Sequence, residues 1–257
     1  MAAVLVLSCA LFIFIRAGII LRLVALFRPE AVLDHVSRTS PIISSTLFIC
    51  ARMISGLRLE VERWRGPRLP PVLLLISNHQ SLIDIPALMA SFPRHPLRFV
   101  AKMELARGLP YISFALRRGY HSLISRTSDF REGHKELVRF AELSRRGICP
   151  AVFPEGTRSK TGFVKSFQAG AVRIILERAQ LPVLSVAVDG GWRISRLHSL
   201  MSRLRGTRYR IKPLTLYPAP KGKREILDLL ATIEKELAGQ VRAWRAGENA
   251  LRSRPGR

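Results

Sequence analysis

Two side chains able to move a proton stand five residues apart in the stretch Ser77-Asn78-His79-Gln80-Ser81-Leu82-Ile83-Asp84-Ile85-Pro86. An imidazole held through one nitrogen by a carboxylate can take a proton from a hydroxyl through the other, and the carboxylate stabilises the imidazolium that forms. The spacing limits how they can meet. At about 3.6 residues per turn, positions five apart on one helix point roughly 140° away from each other, so a helix cannot pair them. A strand-to-helix corner can. Val72 to Ile76 reads as a short buried strand, and Ala87 to Ala90 opens a helix with Pro86 in its first turn. Such a corner holds side chains on a rigid scaffold within reach of a substrate. On these residues alone, an N-capping Asp84 beside a solvated His79 is the competing reading.

A second constellation lies downstream. Ile148 to Phe153 reads as a strand running into Pro154-Glu155-Gly156-Thr157-Arg158-Ser159. Gly156 lets the backbone turn tightly and offers N–H groups to an anion, Arg158 adds positive charge and Thr157 a hydroxyl. Between the two blocks stand Lys102-Met103-Glu104-Leu105 and a turn at Gly119 leading to Ile124-Ser125-Arg126. Arg126 is the first choice for a phosphate contact, because a guanidinium grips two oxygens at once. Lys102 is a weaker one.

In this order and separation the blocks resemble the glycerophospholipid acyltransferase family, whose best-known members acylate lysophosphatidic acid. The likeness runs from about Val72 to Val188 and rests on the His-x-x-x-x-Asp and Phe-Pro-Glu-Gly-Thr-Arg motifs. It implies acyl transfer from an acyl thioester, on coenzyme A or acyl carrier protein, to the sn-2 hydroxyl of 1-acylglycerol 3-phosphate. His79 is then the base and Asp84 its partner, with Arg126, Glu155, Gly156, Thr157 and Arg158 binding the acceptor. Glu155 suits a glycerol hydroxyl or a neighbouring arginine better than a phosphate. No metal or cofactor is called for, since the thioester is a co-substrate. The chain departs from the family pattern at Ser125, where aspartate is usual, at Gln168, where lysine is usual, and at Ser185, where proline is usual. Ser125 and Gln168 keep a different lysolipid acceptor in play, another lysophospholipid or an amino-acid lipid. An inactive membrane-surface binding protein is a further alternative, which the intact His79, Asp84, Glu155 and Arg158 oppose.

Charge and hydropathy point the same way. Lys+Arg 42 against Asp+Glu 18 gives a formal +24, a field that favours polyanions. With 48% hydrophobic residues and 7% aromatic ones, an anionic membrane surface fits better than nucleic acid, for which no basic-aromatic array is present. Cys9, Cys50 and Cys149 are scattered and read as reduced thiols, not a disulfide frame or zinc site.

Residues 1–60 are expected to form a membrane-associated helical pair. The run 3–27 is apolar except for Arg16 and Arg22, a linker spans Arg28 to Ser40, and a second apolar run from Pro41 to Gly56 holds Arg52. The pair is expected to lie in one leaflet. A single span through 3–27, with the basic remainder cytoplasmic, is the alternative, as is packing on the protein's own core. A cleaved signal peptide is not expected. Residues 61–222 are expected to form one α/β domain, a mixed sheet flanked by helices, entered through Pro67 to Pro71. Its further strands are placed at 97–101, 181–188 and 209–217, and the stretch into Ile124 is another. Helices are placed at 129–143, with a capping box from Asp129 to Glu132, and at 171–178. The basic stretch Arg193 to Arg210 suits an anionic lipid surface or a solvated flank. Residues 223–257 are expected to form an amphipathic helix through Trp244 and a basic tail. His95 reads as a solvated loop residue.

Overall fold

The computed structural model describes residues 1–103, 111–124, 130–195 and 202–252. Among the described residues seven strands form one sheet: β1 (Arg58–Val61), β2 (Leu74–Ser77), β3 (Leu97–Lys102), β4 (Ser122–Ile124), β5 (Cys149–Val152), β6 (Val183–Asp189) and β7 (Arg208–Tyr217). Their spatial order is β1-β7-β6-β2-β5-β3-β4. From β6 to β4 every pairing is parallel, whereas β7 runs antiparallel to β6 and carries β1 parallel to itself. The expected mixed α/β architecture is therefore what forms.

Successive side chains on a strand point to opposite faces, and the central strands are buried on both. Leu74 and Ile76 join Val183, Ala187 and Val152 on one face; Leu73 and Leu75 join Leu184, Val186 and Val188 on the other. This is why β2 and β6 read as unbroken apolar runs. The first face is covered by α5 (Phe130–Glu142), α6 (Ala169–Ala179) and α7 (Gly222–Arg252). The second is covered by α3 (Asp84–Ser91) through Leu88 and Met89.

The C-terminal helix packs its apolar face on the sheet. Ile226, Ile233 and Leu237 of α7 are fully buried in the first core. Glu236 accepts hydrogen bonds from Ser185 Oγ at 2.7 Å, from Thr215 Oγ1 and from Tyr217 Oη at 3.2 Å. Ser185, where the family pattern has proline, is thus a buried donor to α7. The tail beyond Arg252 lies outside the described residues, as do Asp129 of the capping box and positions 196–201 of the basic stretch.

The N-terminal pair is α1 (Ala2–Phe27) and α2 (Val32–Ser55). The linker expected from Arg28 to Ser40 is mostly helical, because α2 starts at Val32 and runs through Pro41. Proline removes one ladder bond, yet the buried face of Val36, Ser40, Ser44 and Ala51 continues across it. α1 is long and apolar enough to cross a membrane by length and composition, and only 11% of its most apolar window is buried. Among the described residues α1 therefore packs on the protein's own core through a minority of its surface. Leu5, Leu11, Phe12, Ile15, Ile19 and Leu23 all face outward.

α2 is tied to the sheet by Arg98 of β3, itself 1% exposed. Its guanidinium donates to Ser37 Oγ of α2 at 2.8 Å, to Leu97 O at 3.0 Å and to Gly119 O. Burial lowers this arginine to about 10, so it stays charged at neutral pH. Strand β1 was missed from sequence: it precedes the Pro67–Pro71 segment and lies mostly before the boundary expected at residue 60. As an edge strand of Arg-Leu-Glu-Val it has no apolar run. It is held by its ladder with β7 and by ion pairs such as Glu60–Arg210 at 3.6 Å. His95 is half-buried, not solvated, with Nε2 3.0 Å from Pro70 O. All three cysteines are free thiols.

Candidate active site

The corner between β2 and α3 brings the two proton-moving residues together. Asp84 begins α3 but does not cap it; its carboxylate turns back over the preceding loop. His79 Nδ1 lies 2.7 Å from Asp84 Oδ2, which also accepts from Gln80 N at 2.6 Å and Ser81 N at 2.8 Å. Tyr209 Oη donates to the other oxygen, Oδ1, at 2.5 Å. The carboxylate is fully buried, and four donors offset its charge. With the proton on Nδ1 directed at Asp84, Nε2 keeps its lone pair. Among the described residues Nε2 has no partner, and the imidazole remains 14% exposed.

The loop is fixed from several sides. Asn78 Nδ2 donates to Val188 O and its Oδ1 accepts from Val188 N, both at 2.9 Å. The His79 ring stacks on Phe153 with centroids 4.1 Å apart, and Phe153 stacks on Phe99 at 5.6 Å. Ser159 N donates to His79 O at 2.7 Å. The second motif is thereby laid against the first, although His79 and Glu155 stand 76 positions apart in sequence.

Glu155 is turned inward. It is 5% exposed, and its oxygens accept from His79 N at 2.9 Å and Lys165 N at 3.2 Å. Both oxygens thus brace the loop that carries His79. Burial pushes Glu155 up to about 7, against the pull of the two N–H groups. Because its pKa is higher folded than unfolded, its protonation favours the folded state at low pH. That contribution, at most about 3 kcal/mol, is lost as pH rises from 4.5 to about 7. Melting temperatures across this window should fall more steeply for the wild type than for Glu155→Gln; parallel profiles would show that Glu155 keeps an ordinary pKa.

Gly156, Thr157 and Arg158 are exposed at the rim, with Gly156 at φ +64° as a tight turn requires. Among the described residues Arg158 Nη1 makes one long contact, 3.5 Å to Ser195 O. Arg126 lies outside the described residues, with Ser125. Gln168 precedes α6, and its N–H donates to Pro154 O at 2.8 Å. Tyr209 is the site residue that sequence reasoning missed, 125 positions from Asp84 and marked by nothing but a strand-like run. Gly191 completes that pocket: a Cβ there would come 2.9 Å from Asp84 Oδ1 and 3.0 Å from Tyr209. Tyr209→Phe should leave one buried carboxylate oxygen without its donor and cost about 1.5–3 kcal/mol of stability. A thermal melt within error of wild type would count against this bond.

A cavity of about 330 Å³ opens beside the corner, between the N-terminal helices, α3 and α4 (Ile112–Arg118). Its walls are almost wholly apolar, with Phe14, Leu47 and Phe48 from the helical pair and Ile83, Met89 and Leu116 from the domain. Phe99 belongs both to this wall and to the ring stack that ends at His79.

A buried dyad whose Nε2 is unpartnered among the described residues, a glycine turn with an exposed arginine and an apolar cavity thus lie around one corner of the sheet. Residues 65–189 match the family model described as Acyltransferase, and the likeness drawn from the two motifs is borne out. Curated relatives include a 1-acyl-sn-glycerol-3-phosphate acyltransferase of Pseudomonas aeruginosa, 32% identical over 142 residues that cover 54% of this chain and 52% of the relative. Another, from Cocos nucifera, is 31% identical over 132 residues, covering 51% and 41%. The chain spans about half the length of the curated relatives it matches. In fold it is similar to the crystal structure of the 1-acyl-sn-glycerophosphate (LPA) acyltransferase, PlsC, from Thermotoga maritima. The TM-score is 0.71 at 21% identity, covering 100% of this chain and 97% of that one.

Proposed function

We propose that this protein transfers a fatty acyl group from an acyl thioester to the sn-2 hydroxyl of 1-acylglycerol 3-phosphate, yielding phosphatidic acid. The observation that carries the reading is the His79–Asp84 dyad, free at Nε2, beside an apolar cavity. His79 Nε2 removes the hydroxyl proton as the oxygen attacks the thioester carbonyl. The tetrahedral intermediate collapses with cleavage of the C–S bond, and the proton held on His79 passes to the departing thiolate. The acceptor oxygen is itself the nucleophile, so no acyl-enzyme is required. Asp84 holds the tautomer and stabilises the imidazolium. An acyl chain suits the cavity, and Arg158, with Arg126, suits the acceptor's phosphate. The donor is acyl-coenzyme A or acyl-acyl carrier protein. The outward apolar side chains of α1 suit a bilayer, and the +24 charge suits its anionic cytoplasmic face.

The test is the full chain purified in detergent and offered a panel of lysolipids with each donor, products being identified by mass spectrometry. Phosphatidic acid from 1-acylglycerol 3-phosphate is the expected product. Preference for a lysolipid without phosphate would replace this acceptor with another. No acylation of any lysolipid would remove the reading altogether.

A further inference from the structure

The last turns of α7 reach the catalytic corner from well outside residues 65–189. Arg245 is 14% exposed, and its Nη2 donates to Asp189 Oδ1 at 3.2 Å. Nη1 donates to Thr161 O at 3.1 Å. The guanidinium lies over the Phe163 ring at 4.2 Å and the Trp192 ring at 5.0 Å. Gly162 makes room for this stack, since a Cβ there would fall 2.1 Å from Arg245 Nη2 and 2.3 Å from Trp192.

Asp189 is 2% exposed, and Arg245 is its ion-pair partner among the described residues. The same oxygen, Oδ1, accepts from Gln80 Nε2 at 3.0 Å. Gln80 Nε2 also donates to Gly162 O at 2.7 Å, and Gln80 Oε1 accepts from Trp192 N at 3.4 Å. Gln80 is fully buried, with both amide protons and the carbonyl oxygen engaged. Its backbone N–H is one of the donors that hold Asp84 Oδ2 against His79. A continuous chain of contacts thus runs from Arg245 through Asp189 and Gln80 to the dyad. Removing the cation leaves a buried carboxylate uncompensated, which is strongly unfavourable. Local rearrangement around Asp189 then acts directly on Gln80.

We propose that Arg245 is a positioning residue for the catalytic corner: by holding Asp189 and the 159–163 turn, it fixes Gln80 and hence the geometry of the His79–Asp84 pair. The inference rests on the acyl-transfer reading for its kinetic consequence, but its structural consequence can be measured separately. The experiment compares the full chain in detergent as wild type, Arg245→Ala, Arg245→Lys and Leu237→Ala. The last variant truncates a fully buried side chain two turns away on the same helix. Hydrogen exchange of the Gln80 and Ser81 amides is read alongside kcat and both KM values.

Arg245→Ala should speed exchange at Gln80 and Ser81 about tenfold or more. It should lower kcat roughly ten- to a hundredfold, because a small misplacement of a catalytic group is costly, with both KM values nearly unchanged. Arg245→Lys should recover part of both effects, since an ammonium can reach Asp189 but not Thr161 O in the same fork. Leu237→Ala should lower the melting temperature and leave both readouts as in wild type. Unchanged exchange at Gln80 and Ser81 in Arg245→Ala would overturn the proposal, and so would the same acceleration in Leu237→Ala. If the wild type acylates no lysolipid, the function reading fails while the exchange data still decide this one.

Discussion

Acyl transfer by His79→Ala is expected to fall by about 10²–10⁴-fold, the usual worth of a general base, in a protein that still folds. The imidazole's main packing contact is its stack on Phe153, and such a pair is worth about 0.5–1.5 kcal/mol. Its loss also deprives Asp84 Oδ2 of one donor, but the Gln80 and Ser81 N–H groups and the Tyr209 hydroxyl still hold that carboxylate. A modest drop in melting temperature with near-complete loss of turnover is therefore the expected pair of results. Product formation at the wild-type rate in His79→Ala would exclude the imidazole as base. Loss of turnover accompanied by global unfolding would instead show that the ring stack is structural.

Asp84→Asn should separate orientation from charge. The asparagine oxygen can occupy the Oδ2 position and accept from His79 Nδ1, Gln80 N and Ser81 N, while its NH₂ faces the Tyr209 hydroxyl, which can turn to accept. The tautomer and the corner survive, but the negative charge opposite the forming imidazolium is lost. One charge-assisted hydrogen bond is worth roughly 1.5–3 kcal/mol, so kcat should drop about ten- to a hundredfold with acceptor KM little altered. Asp84→Ala should be worse in both respects, because it leaves buried donors with nothing to meet. If Asp84→Asn were as active as wild type, the carboxylate would serve only as a scaffold for the loop.

Truncation of residues 1–56 is not a clean removal of an anchor. α2 supplies Leu47 and Phe48 to the cavity and Ser37 to the buried Arg98. Loss of vesicle binding after such a deletion would come with loss of the cavity wall.

The amino-acid sequence by itself made the two motifs and most of the sheet legible. Continuous apolar runs can be satisfied only by burial on both faces, so β2 and β6 were legible. The five-residue spacing ruled out a helical pairing of His79 with Asp84 and left a corner as the way to join them. The apolar composition of residues 3–27 likewise pointed to lipid, whatever the fold around it. The sequence could not reveal contacts whose partners lie far apart in the chain. Glu155 looked like a ligand group beside Gly156 and Arg158, but tertiary packing turned it inward to two backbone N–H groups. Tyr209 and Arg245 carry no local mark, because antiparallel pairing of β7 with β6 and docking of α7 alone bring them to the corner. Strand β1 was invisible because an edge strand is stabilised by its backbone ladder and needs no apolar periodicity. Helix α2 ran through Pro41 because a buried face on either side outweighs one missing hydrogen bond. Local pattern records what a segment must bury; which distant group meets it is decided only when the sheet closes the distance.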